Sequence, residues 1–264
     1  MAVMGYNPDP DTGRTLVWDT ARLADPHAQP DKADRVRQMF DAIAPTYELV
    51  NTVASGARDA RWRREMVRLA AVRSDDVLLD VACGTGDVAR VFAAAQPRPA
   101  RVIGLDFAGA MLARAAGRPI IGGSFIRGDA LRLPLADASL SLVTCAFGIR
   151  NFNDLRAGLA EMARVLRPGG RAIVLEFCLP RRRLLRAAYL FYANRVLPRL
   201  ATWISRDSTG AYRYLPRSVI SFPDSGAVAA AFRSAGFAEV GIHRLTWGVV
   251  AVYVAVRGGQ GSAR

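Results

Sequence analysis

The amino-acid sequence predicts an α/β fold, with a seven-stranded, mostly parallel sheet and helices on both faces. Five short apolar runs alternate with helical patterns, which is typical of βαβ units and a parallel sheet. Two further strand-like runs, joined by a turn at Trp247-Gly248, close the sequence pattern. A chain of 264 residues suits one large α/β domain better than two ordinary ones.

The N-terminal part of the chain contains no strand pattern. Residues 1–30 are rich in Pro and Asp, and we assign residues 1–33 to an extension that is either loose or an arm over the core. From Asp34 to about Leu69, apolar residues recur at helical spacing, with breaks at Pro45 and at Ser55-Gly56. This segment therefore predicts two or three helices.

The strands and helices of the sheet follow from residue 76 onward. Helices are predicted over 88–95, around 111–113 and over 154–165. The main domain spans 34–257, and residues 258–264 form a tail. The predicted strands are 76–81, 101–106, 124–126, 140–146, 171–177, 240–245 and 249–256.

The net charge of +13 comes almost entirely from arginine, since Lys32 is the only lysine. Such a charge fits a nucleic-acid or anionic-membrane partner, or a genome that prefers arginine codons. The arginines are spread along the chain, which favours the codon explanation, and we expect no nucleic-acid partner.

Cysteine usage and the N-terminus indicate the compartment. None of the three cysteines belongs to a C-x-x-C pair, and no nearby histidine completes a metal site, so we expect reduced thiols and no metal. The acids within residues 1–30 argue against secretory and mitochondrial targeting, and no apolar run is long enough to span a bilayer. We expect a cytoplasmic protein, with membrane contact limited to the inner surface.

A glycine loop directly follows the first strand, with the sequence D-V-A-C-G-T-G-D. Glycines let the backbone approach a ligand closely and turn tightly into a helix. The candidate cofactor-binding residues here are Asp80, Gly84, Thr85 and Gly86. Because Ala89 completes a G-x-G-x-x-A pattern, the loop alone does not exclude NAD.

Later strand ends narrow the choice of cofactor. Asp106 ends the second strand, where an acid accepts hydrogen bonds from both ribose hydroxyls of a nucleoside, although it could also cap the next helix. Asp129-Ala130 follows the third strand, where in many methyltransferases an acid before an alanine contacts the adenine amino group, and the fourth strand ends at Ala146. This order, followed by Arg-Pro-Gly-Gly before the fifth strand, favours S-adenosylmethionine (SAM) over nicotinamide.

From about Arg37 to Val256 the chain resembles the UbiE/MenG family, the C-methyltransferases of ubiquinone and menaquinone biosynthesis. Several motifs occur in the family's order, and F-G-I-R-N is the most discriminating. The motifs are F-D-x-I-A-x-x-Y at 40–47, R-D-A-R-W-R at 58–63, the glycine loop, F-G-I-R-N at 147–151, L-R-P-G-G at 166–170, L-E-F at 175–177, Y-R-Y-L-P-x-S at 212–218 and F-P-D at 222–224.

The resemblance implies a Rossmann-like SAM methyltransferase fold and SAM as cofactor. It implies a SAM pocket containing Thr85, Asp106, Asp129 and Ala130. At a further family contact, often serine, this chain carries Ala146, which lacks the hydroxyl. The implied reaction is C-methylation of a polyprenylated quinol, either demethylmenaquinol or the ubiquinone-pathway benzoquinol.

Ring-carbon attack requires a nucleophilic quinol, and a phenol with a pKa of about 10 is mostly neutral at pH 7. A base would favour the phenolate, and the candidates are Glu176, Asp207, Tyr212 and His243. Arg150 could stabilise the oxyanion, or serve in a salt bridge. We select Arg150 and Tyr212 as the residues near the acceptor.

Residues 180–206 form an insertion with an amphipathic, arginine-rich pattern. It is either a lid that admits a polyprenyl tail and touches an anionic membrane, or a helix packed on the core. The alternative functions are O-methylation of a small molecule, RNA methylation, and a non-catalytic scaffold role in quinone synthesis. The sequence leaves open whether the protein forms a homo-oligomer.

Overall fold

The computed structural model describes residues 16–205 and 209–259 and contains one seven-stranded sheet in the order β3-β2-β1-β4-β5-β7-β6. Neighbouring strands among β1 to β5 run parallel, whereas β7 is antiparallel to both β5 and β6. The predicted mostly parallel sheet is therefore confirmed. The strands are β1 (Val77–Val81), β2 (Arg101–Asp106), β3 (Gly123–Arg127), β4 (Leu140–Ala146), β5 (Leu166–Phe177), β6 (Phe237–Leu245) and β7 (Val250–Arg257).

Ten α-helices lie among the described residues. Three precede the sheet, three connect its parallel strands, and four lie between β5 and β6. They are α1 (Lys32–Ile43), α2 (Tyr47–Ser55), α3 (Asp59–Ala70), α4 (Asp87–Ala93), α5 (Gly109–Ala116), α6 (Leu155–Val165), α7 (Arg183–Phe191), α8 (Leu197–Ser205), α9 (Ala211–Ile220) and α10 (Ser225–Ser234). A single π turn, Tyr192–Val196, joins α7 to α8.

Hydrophobic cores cover both faces of the sheet. On one face, Met162 of α6 and Phe232 of α10 pack against the strands. On the other face, Trp62 of α3 and Phe92 of α4 do the same. Helices on both faces explain why the central strands are continuous apolar runs, since neither side of them meets water.

A third core holds the N-terminal segment against the helices. The indole of Trp18 is fully buried, and its ring centroid lies 4.4 Å from that of Tyr214 in α9. The guanidinium of Arg35 lies over the same indole and donates a hydrogen bond to the carbonyl of Val17. The described part of the predicted extension therefore packs as an arm on α1 and α9.

The predicted element bounds agree closely with the structure, except that β6 begins at Phe237 instead of residue 240 and that β5 begins early. This strand begins at Leu166 instead of residue 171, because Leu166 pairs with Leu140 before the register shifts. Gly169 adopts a positive φ of 74° inside that irregularity, so the predicted turn lies within the named strand. No helix among the described residues is long and apolar enough to cross a bilayer.

The order of the parallel strands determines where a ligand can bind to the sheet. The chain leaves β1 toward β2 on one side, and β4 lies on the other side of β1. Ligands of open α/β sheets bind at such a switch point, beyond the carboxyl ends of the strands. The loops after β1, β2 and β4 meet there.

Candidate active site

The glycine loop after β1 has a left-handed backbone. Gly84 and Gly86 have φ values of 55° and 84°, a region that glycine enters without steric cost. A Cβ on Gly86 would lie 2.8 Å from the ring of Phe125, whereas one on Gly84 would meet nothing closer than 3.9 Å, at Tyr47. Gly86 therefore shapes the turn into α4 without lining a cavity, and Gly84 leaves room for a ligand.

Asp80 holds the glycine loop from inside. Its carboxylate accepts hydrogen bonds from the Thr144 hydroxyl at 2.8 Å and from the amide of Ala89 at 3.1 Å. Burial raises the pKa of Asp80 to about 7. Because α4 is thereby fastened to β1 and β4, Thr85 and Gly84 stay at the cavity wall.

Asp106 ends β2 at the wall of a cavity beside the glycine loop. One carboxylate oxygen accepts the amide of Gly84 at 2.7 Å, and the other accepts the amide of Ala108 at 2.9 Å. The Asp106 carboxylate thus holds the turn between β2 and α5 and also lines the cavity. Burial raises its pKa to about 6. Carboxylate oxygens retain further acceptor capacity for ribose hydroxyls.

The cofactor cavity, as we name this space, also takes in the segments after β3 and β4. Asp129 and Ala130 line it, as does Ala146. Predicted cofactor residues from four strand ends therefore meet at one cavity, namely Gly84, Asp106, Asp129 with Ala130, and Ala146. They suit SAM, since an acid for the ribose, a tight glycine turn and an Asp-Ala pair for adenine face one space. Thr85 and Asp80 line only the larger cavity that adjoins it, and Gly86 lines neither.

A second, larger cavity of about 560 Å³ adjoins the cofactor cavity. We call it the acceptor cavity. Aromatic and aliphatic side chains from α1, α2, the α7–α8 segment and α9 form a large part of its wall. The two cavities share six lining residues, namely Phe40, Tyr47, Ala82, Gly84, Ala146 and Phe147. These shared residues show that the two cavities adjoin.

The loop after β4 forms part of that wall and carries Arg150. Phe147 has a positive φ of 57°, and its ring stacks on Phe177 with centroids 4.4 Å apart. A Cβ on Gly148 would lie 2.5 Å from the sulfur of Cys145, so only glycine fits against β4. These contacts turn the chain sharply, so that Arg150 faces the acceptor cavity while Asn151 and Phe152 line the cofactor cavity.

Arg150 lines the acceptor cavity and is only 6% exposed. Its Nη1 donates to Glu176 Oε1 at 2.9 Å and to the carbonyl of Phe147 at 2.5 Å. Its Nε has no hydrogen-bond partner within residues 16–205 and 209–259. A buried donor without an acceptor is costly, so the Arg150 guanidinium beside this cavity keeps unused hydrogen-bonding capacity.

The four base candidates have different fates. Glu176 is fully buried, bonds to both the side chain and the amide of Arg150, and lines neither cavity. His243 is exposed on β6, away from both cavities. Tyr212 lines the acceptor cavity. Asp207 lies outside the described residues.

Several residues of the acceptor cavity were not predicted from the sequence as site residues, although Tyr47 belongs to the motif at 40–47. Tyr47 and Asn51 come from α2, while Tyr189 and Tyr192 come from the insertion. The Tyr192 hydroxyl donates to the carbonyl of Ala54 at 2.8 Å, which ties the insertion to α2. Tyrosines at helical spacing in a basic segment were the available signal, but that pattern does not reveal which face meets the cavity.

Two large aromatic side chains near the C-terminus, Trp247 and Tyr253, line neither cavity. Tyr253 is buried in the sheet, where its ring stacks on Phe232, and Trp247 is exposed in the turn between β6 and β7. The described part of the chain contains no group of three or more His, Cys, Asp or Glu side chains that could hold a metal ion.

Comparison with known proteins gives the family. A model of the ubiE/COQ5 methyltransferase family matches residues 28–257. A demethylmenaquinone methyltransferase of Deinococcus radiodurans is 44% identical over 85% of this chain and 93% of its own length. A ubiquinone/menaquinone biosynthesis C-methyltransferase UbiE of Geobacter sulfurreducens is 40% identical over 86% of this chain and 90% of its own length.

Solved structures give the fold. A SAM-dependent methyltransferase of Thermotoga maritima superposes with a TM-score of 0.57 at 19% identity, over 83% of this chain and 98% of that one. The predicted Rossmann-like fold is thereby confirmed, and the family match confirms the predicted cofactor. This chain is a SAM-dependent methyltransferase and belongs to the ubiE/COQ5 methyltransferase family.

Proposed function

We propose that this enzyme methylates a ring carbon of a demethylated, polyprenylated quinol, either a demethylmenaquinol or the ubiquinone-pathway benzoquinol. The observation that carries the proposal is the buried guanidinium of Arg150, which lines the acceptor cavity and whose Nε has no hydrogen-bond partner among the described residues. A buried cationic donor there suits an acceptor that becomes anionic, as a phenol does. Relatives at 40–44% identity are named for this chemistry.

The cofactor belongs in the cavity lined by the ends of β1 to β4. We assign Asp106 to the ribose hydroxyls, Asp129 and Ala130 to adenine, and the Gly84–Gly86 turn with Thr85 to the methionine part. Asp80 positions that turn through Thr144 and Ala89. When bound, SAM supplies an electrophilic methyl group. Ala146 borders both cavities and leaves space at the point of transfer.

The size and lining of the acceptor cavity support a lipid-like acceptor. A volume of about 560 Å³ lies in the usual range for small-molecule sites, roughly 300–1,000 Å³. Among the described residues, three carboxylates line this cavity, and all three are engaged within the protein. Asp59 pairs with Arg63, Asp87 pairs with Arg90, and Asp80 accepts from Thr144. The remaining wall is mostly apolar, as a prenylated ring requires.

Arg150 and Tyr212 divide the work on the ring in this proposal. Arg150 stays protonated at any working pH, and its charge lowers the cost of forming the phenolate. Tyr212 offers a hydroxyl to the other ring oxygen. The neighbouring aromatic wall, including Phe147 and Phe177, keeps the ring flat against the shared boundary. Holding both reactants in line supplies a large part of the catalysis.

The deciding experiment is methyl transfer from labelled SAM to a demethylmenaquinol and to the matching benzoquinol. Mass spectrometry of the product distinguishes a ring-carbon methyl from an oxygen methyl. We expect a ring-carbon methyl on at least one of the two quinols. If S-adenosylhomocysteine binds but neither quinol is methylated, the acceptor assignment is wrong.

The α7–α8 segment, residues 180–205, also suits contact with the inner face of an anionic membrane. Residues 180–205 contain six arginines and no acid. Phe191 is 65% exposed and Trp203 is 81% exposed. The same segment lines the acceptor cavity through Tyr189 and Leu200. A basic surface with exposed aromatics is the pattern of an interfacial helix, and here it would bring the prenyl tail to the cavity.

Membrane binding has a direct test. Replacing Arg181, Arg182 and Arg183 by glutamine should weaken sedimentation with vesicles containing phosphatidylglycerol by roughly a hundredfold, at about 1 kcal/mol per arginine. Trp203→Ser should weaken binding further. The control is Ile121→Ser, which removes an exposed side chain at the far, β3 edge of the sheet. Equal binding to neutral phosphatidylcholine vesicles would contradict an electrostatic contact.

A further inference from the structure

Lys32, the only lysine of the chain, lies at the start of α1 and is 2% exposed. Within residues 16–205 and 209–259, no carboxylate forms an ion pair with it. Lysine is almost never fully buried unless its charge is compensated. The contacts of Lys32 must therefore explain its position.

The ammonium group makes three hydrogen bonds, all to neutral acceptors. It donates to the carbonyl of Arg150 at 3.2 Å and to the carbonyl of Phe152 at 2.5 Å. Its third contact is Nδ1 of His27 at 3.2 Å. Because the other ring nitrogen lies 3.0 Å from the carbonyl of Ser218, which only accepts, His27 carries its hydrogen on Nε2. Nδ1 is then free to accept from Lys32.

The two carbonyls belong to the loop between the cavities. This loop contains a single 3₁₀ turn, Ile149–Asn151, and three other parts of the fold hold it. Glu176 of β5 binds Arg150, and the Tyr214 hydroxyl of α9 donates to Asn151 at 2.9 Å. Lys32 adds the contact from α1 and fastens the backbone itself.

We propose that Lys32 is a positioning residue for methyl transfer. It holds the backbone of residues 150–152 so that the Arg150 guanidinium and the Phe147 ring keep their places at the cavity wall. Lys32 itself lines neither cavity, so it acts through the loop. The inference rests on the proposed function, since it assumes that Arg150 acts on the acceptor.

The test compares Lys32→Met with Lys32→Gln and with Arg35→Met. Methionine keeps the volume and removes all donors, whereas glutamine keeps an N–H₂ group. Arg35 is a matched control because it is a buried cation on the same helix, bonds to Asp31 and Val17, and does not contact the loop. The readouts are kcat and KM for both substrates, affinity for S-adenosylhomocysteine, and hydrogen exchange of the amides of residues 149–152.

In Lys32→Met we expect kcat to fall about ten- to hundredfold, because small misplacements of reacting groups slow a reaction by that much. The KM for SAM should change little, the loop amides should exchange faster, and Lys32→Gln should recover part of kcat. Arg35→Met should lower thermal stability and leave kcat and loop exchange near wild type.

A wild-type kcat in Lys32→Met, or an equal loss in Arg35→Met, would overturn the inference. Unchanged exchange of the loop amides in Lys32→Met would also overturn it. That measurement needs no acceptor, so a failure of the quinol assay in the wild-type enzyme would be recognised separately as a failure of the proposed function.

Discussion

Replacing Arg150 by methionine is expected to reduce kcat for methyl transfer by about 10²–10³, the usual cost of removing one preorganised donor to a developing oxyanion. The affinity for S-adenosylhomocysteine should change little, because Arg150 lines the acceptor cavity and not the cofactor cavity. The same change should also destabilise the protein. It leaves the fully buried Glu176 without its ion pair, which costs about 3–5 kcal/mol.

A double variant separates the two effects. Arg150→Met with Glu176→Gln removes the isolated buried charge, so thermal unfolding should recover more than half of the lost stability. The kcat should remain as low as in Arg150→Met, because the cation is still absent. Steady-state kinetics and thermal unfolding of the same preparations measure both quantities. Recovery of kcat together with stability would mean that Arg150 serves only the fold.

Replacing Asp106 by asparagine is expected to weaken S-adenosylhomocysteine binding by at least about a hundredfold. Hydrogen bonds to a charged acceptor contribute about 1.5–3 kcal/mol each, and a ribose offers two hydroxyls. The amide also cannot accept both backbone amides that Asp106 now accepts, from Gly84 and Ala108. Isothermal titration calorimetry at pH 7.5 measures the loss. Asp41→Asn is the control, since Asp41 accepts the Ala110 amide but lines neither cavity.

The pH dependence of binding follows from the same carboxylate. Burial raises the pKa of Asp106 to about 6, so the free enzyme takes up this proton as the pH falls through that value. The neutral acid is the weaker acceptor, and affinity should therefore fall by up to about tenfold per pH unit below 6. Asp106→Asn should lose most of this dependence. Affinity independent of pH between 5 and 7 in the wild-type enzyme would contradict a role for the carboxylate.

The cofactor side of the site was accessible from sequence because its residues follow strands directly. Gly84, Asp106 and Asp129 each lie at or just after the carboxyl end of a parallel strand. Parallel order brings those ends to one edge, so the local pattern already places the residues near each other. The predicted bounds of β2 and β4 agree with the structure because buried strands are unbroken apolar runs in the sequence.

The acceptor side was less accessible. Tyr189 and Tyr192 line the cavity because the insertion folds back over α2, and no periodicity within the segment indicates that direction. The sequence position of Glu176 is consistent with a general base, but in the structure this residue is buried and forms two hydrogen bonds with Arg150. A carboxylate next to a strand end has the same sequence signature in either role.

The sequence by itself determined the sheet, the glycine turn and the acids of the cofactor site, because strand periodicity and chain order are local properties. Only the tertiary structure decided how the acceptor cavity is built. Arg150 meets Glu176 from 26 positions away, and Lys32 reaches the carbonyl of Arg150 across 118 positions. Such pairs depend on which groups lose their water together, and desolvation is a property of the packed fold rather than of any segment within it.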